Sequence, residues 1–109
     1  MALTLKVLGQ SAPAATTATD LYTVPASTST VISTLLICNR GATNTTFRIS
    51  VRVAGAADAT KQYLYYDTAI AKNDSFAATL GVSLAATDVV TVYAGNANLS
   101  FTAFGQEKS

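Results

Sequence analysis

Residues 47–53 alternate without interruption between apolar and polar side chains. A period of two residues is typical of a β-strand with one face in a core and the other face in solvent or against a partner. Residues 3–7 repeat the pattern, with Thr4 and Lys6 between three aliphatic residues. Both segments predict half-buried strands. In residues 47–53 the two faces consist of Phe47, Ile49, Val51 and Val53 on one side and Arg48, Ser50 and Arg52 on the other.

Turn-forming residues divide the rest of the chain into short strands at the spacing of roughly 8–12 residues that is typical of β-sandwiches. No amphipathic helix of useful length lies between them, which excludes a parallel sheet with helical crossovers. The sequence therefore predicts an all-β fold, a single antiparallel β-sandwich of the jelly-roll or immunoglobulin type with about seven to nine short strands. The predicted strands cover residues 3–8, 21–24, 30–39, 47–53, 61–70, 75–84 (one or two strands), 89–93 and 98–104.

Three details of this fold are specific enough to test. Residues 30–39 are rich in β-branched residues and apolar on both faces, so they predict a central strand with Cys38 in the core. The last two predicted strands are expected to pair with each other across Gly95 and Asn96. The residues that follow them, 106–109, predict a polar tail.

The first strand is set apart from the others by residues 11–19, a Ser-, Ala- and Thr-rich stretch that contains Pro13. Such a composition is typical of an extended linker. We therefore expect residues 1–19 to form an N-terminal arm and linker, and residues 20–109 to form the sandwich domain. An arm of this kind can add a strand to a neighbouring sheet. Its apolar residues are candidate partner contacts: Leu3, Leu5 and Val7.

Charged residues are scarce and evenly distributed. The chain has seven basic and six acidic residues, 12% of its length, and a formal net charge of +1. No basic run exists, so neither nucleic acid nor an anionic membrane is a predicted partner. The chain shows neither a signal-peptide pattern nor an apolar run near the roughly 20 residues that span a bilayer. A charged fraction so far below the usual value of roughly 25% favours a surface covered by neighbours in an assembly.

The residue types that catalysis needs are missing or scattered. The chain has no histidine and one cysteine, Cys38, which removes the commonest general base and any internal disulfide. The six carboxylates lie apart, mostly at predicted turns, where such residues usually bond their own backbone. We predict a non-enzymatic protein with no catalytic residue, cofactor or metal site. A carboxylate pair assembled by the fold stays open as a calcium or glycosidase site.

Arginines and tyrosines are the remaining candidate binding residues. Arg48 and Arg52 share the polar face of their strand, with Arg40 at a neighbouring turn. Arginine is enriched in protein interfaces, so these three are predicted partner contacts; the alternative is a solvated face that discourages edge aggregation. Three tyrosines form either a stacking platform for a carbohydrate or base, or core and cross-strand pairs: Tyr63, Tyr65 and Tyr66.

A set of short segments within residues 20–107 carries a family resemblance: LYTVP at 21–25, ICNRGAT at 37–43, FRI at 47–49, YD at 66–67, AKND at 71–74, ATDVV at 86–90, VY at 92–93, NLSF at 98–101 and FG at 104–105. They resemble small virion structural proteins of tailed bacteriophages, cyanophages among them. The resemblance rests on recurrent phrases and defines no site residues. It implies a β-sandwich attached to a virus particle.

The resemblance also implies partners and a location. The expected partners are the major capsid protein or other virion proteins, together with further copies of the chain, a homotrimer by analogy with decoration proteins at threefold positions. The expected location is the virion, assembled in the bacterial host cytoplasm. Three functions stay open: a capsid decoration or cement protein, a tail fibre, neck or baseplate component that includes a receptor- or carbohydrate-binding module, and a free-standing carbohydrate-binding or hydrolytic protein.

Overall fold

A computed structural model describes residues 3–109. In this range the chain forms nine strands, and its helical segments are two single 3-10 turns. The strands are β1 (Leu3–Ser11), β2 (Thr19–Thr23), β3 (Ser29–Asn39), β4 (Thr45–Arg52), β5 (Tyr63–Ile70), β6 (Ser75–Ala78), β7 (Val82–Leu84), β8 (Val89–Ala94) and β9 (Leu99–Lys108); the 3-10 turns are Val53–Gly55 and Thr60–Gln62.

The strands form two antiparallel sheets that pack as a sandwich. Sheet I has the order β1-β9-β3-β6, with β7 also paired to β3, and sheet II has the order β2-β8-β4-β5. Strands β6 and β7 pair with successive parts of β3, so together they form one interrupted edge strand. The chain can therefore be described as one long antiparallel hairpin folded over into two sheets. Its paired strands are β1 with β9, β2 with β8, β3 with β6 and β7, and β4 with β5, which is the order of a jelly roll. The predicted all-β antiparallel sandwich is confirmed.

The core lies between the sheets and is filled by the apolar side of each alternating strand. Phe47 of β4 and Phe101 of β9 come from opposite sheets, and both are 0% exposed. Their ring centroids lie 6.4 Å apart with a nearly perpendicular orientation. Phe47 also contacts Tyr65 at 5.8 Å and Phe76 at 5.6 Å. Tilted and edge-on aromatic pairs of this kind stabilise a core beyond the area that they bury.

The predicted pairing of the last two strands is wrong. Strand β8 lies in sheet II between β2 and β4, whereas β9 lies in sheet I between β1 and β3. The short connection between them therefore crosses from one sheet to the other, as the rolled hairpin requires. The predicted polar tail is also wrong up to Lys108, because β9 continues to that residue, with Gln106 paired to both Leu5 and Val31.

Strand β3 is central in sheet I, as predicted, but its two faces differ. Ile37 and Asn39 are buried, whereas Leu36 and Cys38 are exposed. The prediction that Cys38 lies in the core is therefore wrong. A register shift between Ile32 and Thr34 reverses the alternation within the strand, and the outward face stays uncharged, so the sequence resembles a strand buried on both sides.

Residues 3–11 of the predicted arm form β1, which pairs with β9 of the same chain along its length. Residues 1 and 2 lie outside the described range. After β1 the linker leaves sheet I for sheet II, where Ala15 forms a single bridge with Ala94. Gly9 is required where β1 passes β2, since a Cβ there would overlap the carbonyl oxygen of Leu21.

Candidate interaction surface

The outer face of sheet I carries an exposed aliphatic surface. Residues opposite each other in an antiparallel pair share a face, so the register places Val7 beside Phe104, and Leu5 and Val31 on either side of Gln106. The five most exposed aliphatic side chains of this surface are Leu5 (79%), Leu3 (62%), Val7 (47%), Leu36 (37%) and Val31 (36%). We call these five residues together with Phe104 the sheet I surface.

The sheet I surface is nearly free of charge. Among residues 3–109, the register places no carboxylate on this outer face and one amine, Lys108, at its end. A groove of about 540 Å³ runs along the surface between β1 and β3, over residues 104–106 of β9. Its floor is open at Gly105, where a Cβ would overlap the backbone of Val31. Lys6 also lines the groove, but its amine is paired with Glu107 of the same chain. Apart from Lys108, the surface thus offers apolar area without a charge that a partner would have to pair.

A polar cluster beneath the groove fixes β1 to the sandwich. The Lys6 amine lies 3.0 Å from the carboxylate of Glu107. The buried Tyr22 hydroxyl donates to the same carboxylate, and it lies 2.8 Å from the hydroxyl of Thr30. Hydrogen bonds from Tyr22 and Lys6 hold the pKa of Glu107 below its usual value. Burial, reinforced by the bond to Glu107, raises the pKa of Tyr22 to about 12.

The outer face of sheet II differs from that of sheet I, because its arginines contact other side chains of the same face. Arg48 is the first of them. Its guanidinium carbon lies 4.2 Å from the ring centroid of Tyr66 and 4.3 Å from that of Tyr93. Its Nε and Nη2 donate to the two carboxylate oxygens of Asp67 at 2.7 and 3.3 Å. These bonds hold the pKa of Arg48 above its usual range. Asp67 has a left-handed φ of 49° within an irregular part of β5.

Arg52 is engaged in the same way at the other end of β4. Its Nη2 donates to the Asp20 carboxylate at 2.9 Å, and its Nε donates to the Thr91 hydroxyl at 3.0 Å. Its Nη1 donates to the carbonyls of Gly55 and Ala56 at 3.2 and 3.0 Å. These hydrogen bonds to β2, to β8 and to the residues just after β4 use four of the five N–H donors of the Arg52 guanidinium.

The structure separates the predicted contact residues into two groups. Leu3, Leu5 and Val7 lie together on sheet I, whereas Arg48 and Arg52 lie on the opposite face of the sandwich. Arg40 lies at the end of β3, where its guanidinium donates to the carbonyl of Ala97 at 3.3 Å. Sequence reasoning missed Val31, Leu36 and Phe104. A detectable signal was the absence of any charge along residues 29–39.

The three predicted tyrosines and the carboxylate of Asp88 make contacts within the chain. Tyr65 packs against Phe47 in the core, while Tyr63 and Tyr66 form an edge-on pair on the outside with centroids 4.8 Å apart. The buried Asp88 carboxylate accepts from two backbone N–H groups at 2.9 Å each. In residues 3–109 no three His, Cys, Asp or Glu side chains are grouped as metal ligands would be. No described helix has the length and apolar character to cross a membrane.

Comparisons with protein-family models, with curated proteins and with solved structures found no match to this chain. The candidate site therefore rests on geometry: an uncharged aliphatic surface on sheet I, opposite a face whose arginines bind their own chain.

Proposed function

We propose that this protein is a non-enzymatic virion structural protein, a capsid decoration or cement protein that binds and stabilises the head of a tailed bacteriophage. In this proposal the sheet I surface contacts the major capsid protein. The observation that carries it is the cluster of exposed aliphatic side chains on one face, with Leu5 79% and Leu3 62% exposed. Contiguous apolar surface of this kind is typical of a protein-binding site.

The physical requirements of a cement protein agree with this surface. Burial of apolar area contributes roughly 25 cal/mol per Å², and an uncharged face adds no cost for removing charges from water. Each contact can be modest, because many copies act on one particle. The jelly roll serves many functions, so the proposal depends on the surface and not on the fold.

Immunogold electron microscopy of intact particles tests the location. Antibody raised against this chain should label the heads. Label confined to tails would overturn the decoration role in favour of a tail fibre, neck or baseplate component. The absence of label on any particle would overturn the virion assignment altogether and favour a free-standing binding protein.

A binding assay on heads that lack this protein tests the surface. We expect Leu36→Lys to weaken binding at least tenfold, because it places a charge in the apolar contact. The matched control is Leu64→Lys, which changes a residue of similar exposure, 44% against 37%, on sheet II. Equal binding by the two variants would show that the sheet I surface is not the contact.

A further inference from the structure

The four open edges of the two sheets are not equivalent. The β6/β7 edge is interrupted at Gly81, which has a φ of +63°. Strand β2 is five residues long and shifts register between Asp20 and Tyr22. Strand β5 contains two register shifts. Strand β1 is regular over residues 3–7, and its register shift begins only after Val7.

A regular edge strand is a template for another strand. Alternate N–H and C=O groups of β1 point away from β9, toward the open side of the sheet. Natural edges are usually protected by bulges or by lysine side chains. Here the bulge lies beyond the regular segment, and the one lysine, Lys6, is held by Glu107 of its own chain at 3.0 Å. Residues 3–7 are thus an accessible pairing edge.

The polarity of residues 3–7 is symmetric about Leu5. Apolar residues occupy positions 3, 5 and 7, and polar residues occupy positions 4 and 6. An antiparallel strand with the same sequence therefore meets this edge with apolar residues facing apolar residues. We propose that β1 pairs with β1 of a second copy about a twofold axis at Leu5. Leu5 then faces Leu5 of the second copy, Leu3 faces Val7, and Thr4 faces Lys6.

The proposed register is favoured by charge as well as by polarity. Each Lys6 faces a threonine and not the other Lys6, so no like charges lie directly opposite each other, which would be destabilising. The twofold axis makes the interface self-complementary, as in most homodimers. The pairing also joins the two sheet I surfaces into one continuous aliphatic face. It goes beyond the proposed function, because it uses the backbone edge of β1 whereas the capsid contact uses the outer face.

The size of the contact predicts its strength. Five residues at about 3.4 Å each give a paired edge about 17 Å long. Pairing along an edge of this length buries less area than the roughly 1,000 Å² of a stable interface. We therefore expect a reversible dimer that dissociates on dilution, in contrast to the trimer that the family resemblance implies.

Cysteine cross-linking tests the register. In a Cys38→Ser background, Leu5→Cys places two thiols directly opposite each other, at a Cα separation of about 4.5–5.5 Å that suits a disulfide. Leu3→Cys and Val7→Cys are matched controls, because in each the two equivalent residues are offset by four positions, or about 14 Å. We expect Leu5→Cys to form a disulfide-linked dimer under mild oxidation at least ten times faster than either control. Equal rates, or no cross-link at position 5, would overturn the proposal.

Sedimentation velocity over a range of protein concentrations is the second test. We expect the native chain to shift from one to two chain masses, and Leu5→Lys to stay at one because it brings two amines face to face. Leu64→Lys should behave like the native chain. A constant single mass up to the solubility limit, or a species of three chain masses, would contradict the twofold pairing. Neither result bears on the head-binding assay, in which Leu36→Lys is the variant that decides.

Discussion

The two outer faces of this sandwich use their exposed side chains in opposite ways. On sheet II, Arg48 and Arg52 make ion pairs, cation–π contacts and backbone hydrogen bonds that connect all four strands or the turns beside them. On sheet I, most of the large exposed side chains are aliphatic, and these can form neither ion pairs nor hydrogen bonds. The outward-facing arginines of sheet II therefore stabilise the chain itself. The outward-facing aliphatic side chains of sheet I leave apolar area free for a partner.

The difference follows from where the charges lie in the sequence. Strand β4 carries two arginines at an interval of four residues, and the register brings Asp67 to one and Asp20 to the other. Strand β3, which has the corresponding central place in sheet I, carries no charged residue. The two arginines of β4 have partners within the chain, whereas the uncharged outer face of β3 is left for other chains to cover.

A substitution in the core between the two sheets is expected to lower the free energy of unfolding the most. Phe47→Ala removes a fully buried ring that contacts aromatic residues of β5, β6 and β9. We expect the free energy of unfolding in urea to fall by about 3–5 kcal/mol, because the neighbouring rings cannot close the cavity. Val53→Ala, at a side chain that is 68% exposed, is the control and should change it little. A small loss for Phe47→Ala would mean that the two sheets are not joined by this cluster.

The stabilising role of the sheet II face is tested by Arg52→Ala. The substitution removes one of the two donors to the Asp20 carboxylate, and it leaves the carbonyls of Gly55 and Ala56 without their side-chain donor. Hydrogen bonds to charged groups contribute more than neutral ones, so we expect a loss of about 2 kcal/mol. Arg40→Ala is the matched control, since Arg40 makes a single exposed bond to a carbonyl. Equal stability of the two variants would remove the distinction between the faces.

The cluster of Lys6, Tyr22 and Glu107, where β1 meets sheet II, predicts how stability depends on pH. The pKa of Glu107 is lowered on folding, so its contribution is present above its ordinary pKa of 4.5 and is lost as the pH falls through the folded value. The pKa of Tyr22 is raised to about 12, so its contribution is present below its ordinary value of 10.0 and is lost as the pH rises toward 12.

Tyr22→Phe is the variant that checks this dependence. It should lower the free energy of unfolding at neutral pH by about 1 kcal/mol, since it removes one buried hydrogen-bond donor. It should also flatten the decline between pH 10.0 and about 12 that the native protein shows. Equilibrium unfolding at a series of pH values measures both. An unchanged alkaline decline in Tyr22→Phe would assign that decline to other groups.

The fold class was predictable from sequence because alternation is a local property. Phe47 and Ile49 are buried and Arg48 faces outward, as the period of two requires. The predicted core position of Val53 is wrong, because β4 ends at Arg52 and Val53 lies in the 3-10 turn that follows, 68% exposed. The pairing of strands was not predictable in the same way: β8 and β9 are adjacent in sequence, but the roll of the hairpin sends them to different sheets. Neighbouring strands pair often, and this tendency produced the wrong expectation.

The candidate site likewise has features that a local sequence pattern predicts and features that depend on distant residues. The alternation in residues 3–7 indicates that β1 has two faces, but not which of them lies outward. Leu3, Leu5 and Val7 lie on the outer face, whereas the amine of Lys6 points inward to Glu107. The sequence places Cys38 in the core because an uncharged strand face has the same pattern whether it is covered by protein or by solvent. The contacts of Arg48 depend on Asp67, 19 residues away, and on an irregular register in β5 that no local pattern indicates.

The smallest change in stability is expected for substitutions on the outer face of β1, and it gives the sharpest test of the difference between the two faces. A double variant, Leu5→Thr with Val7→Thr, replaces two side chains that are 79% and 47% exposed while it keeps residues that favour strands. We expect each substitution to change the free energy of unfolding by less than about 0.5 kcal/mol, because neither side chain contacts the core. Arg48→Ala on sheet II is the comparison variant and should unfold at clearly lower urea concentration, since it loses two ring contacts and a bidentate ion pair. If the double variant were the less stable of the two, the aliphatic side chains of β1 would be stabilising their own sheet, and the sheet I surface would lose its main claim to be a binding site.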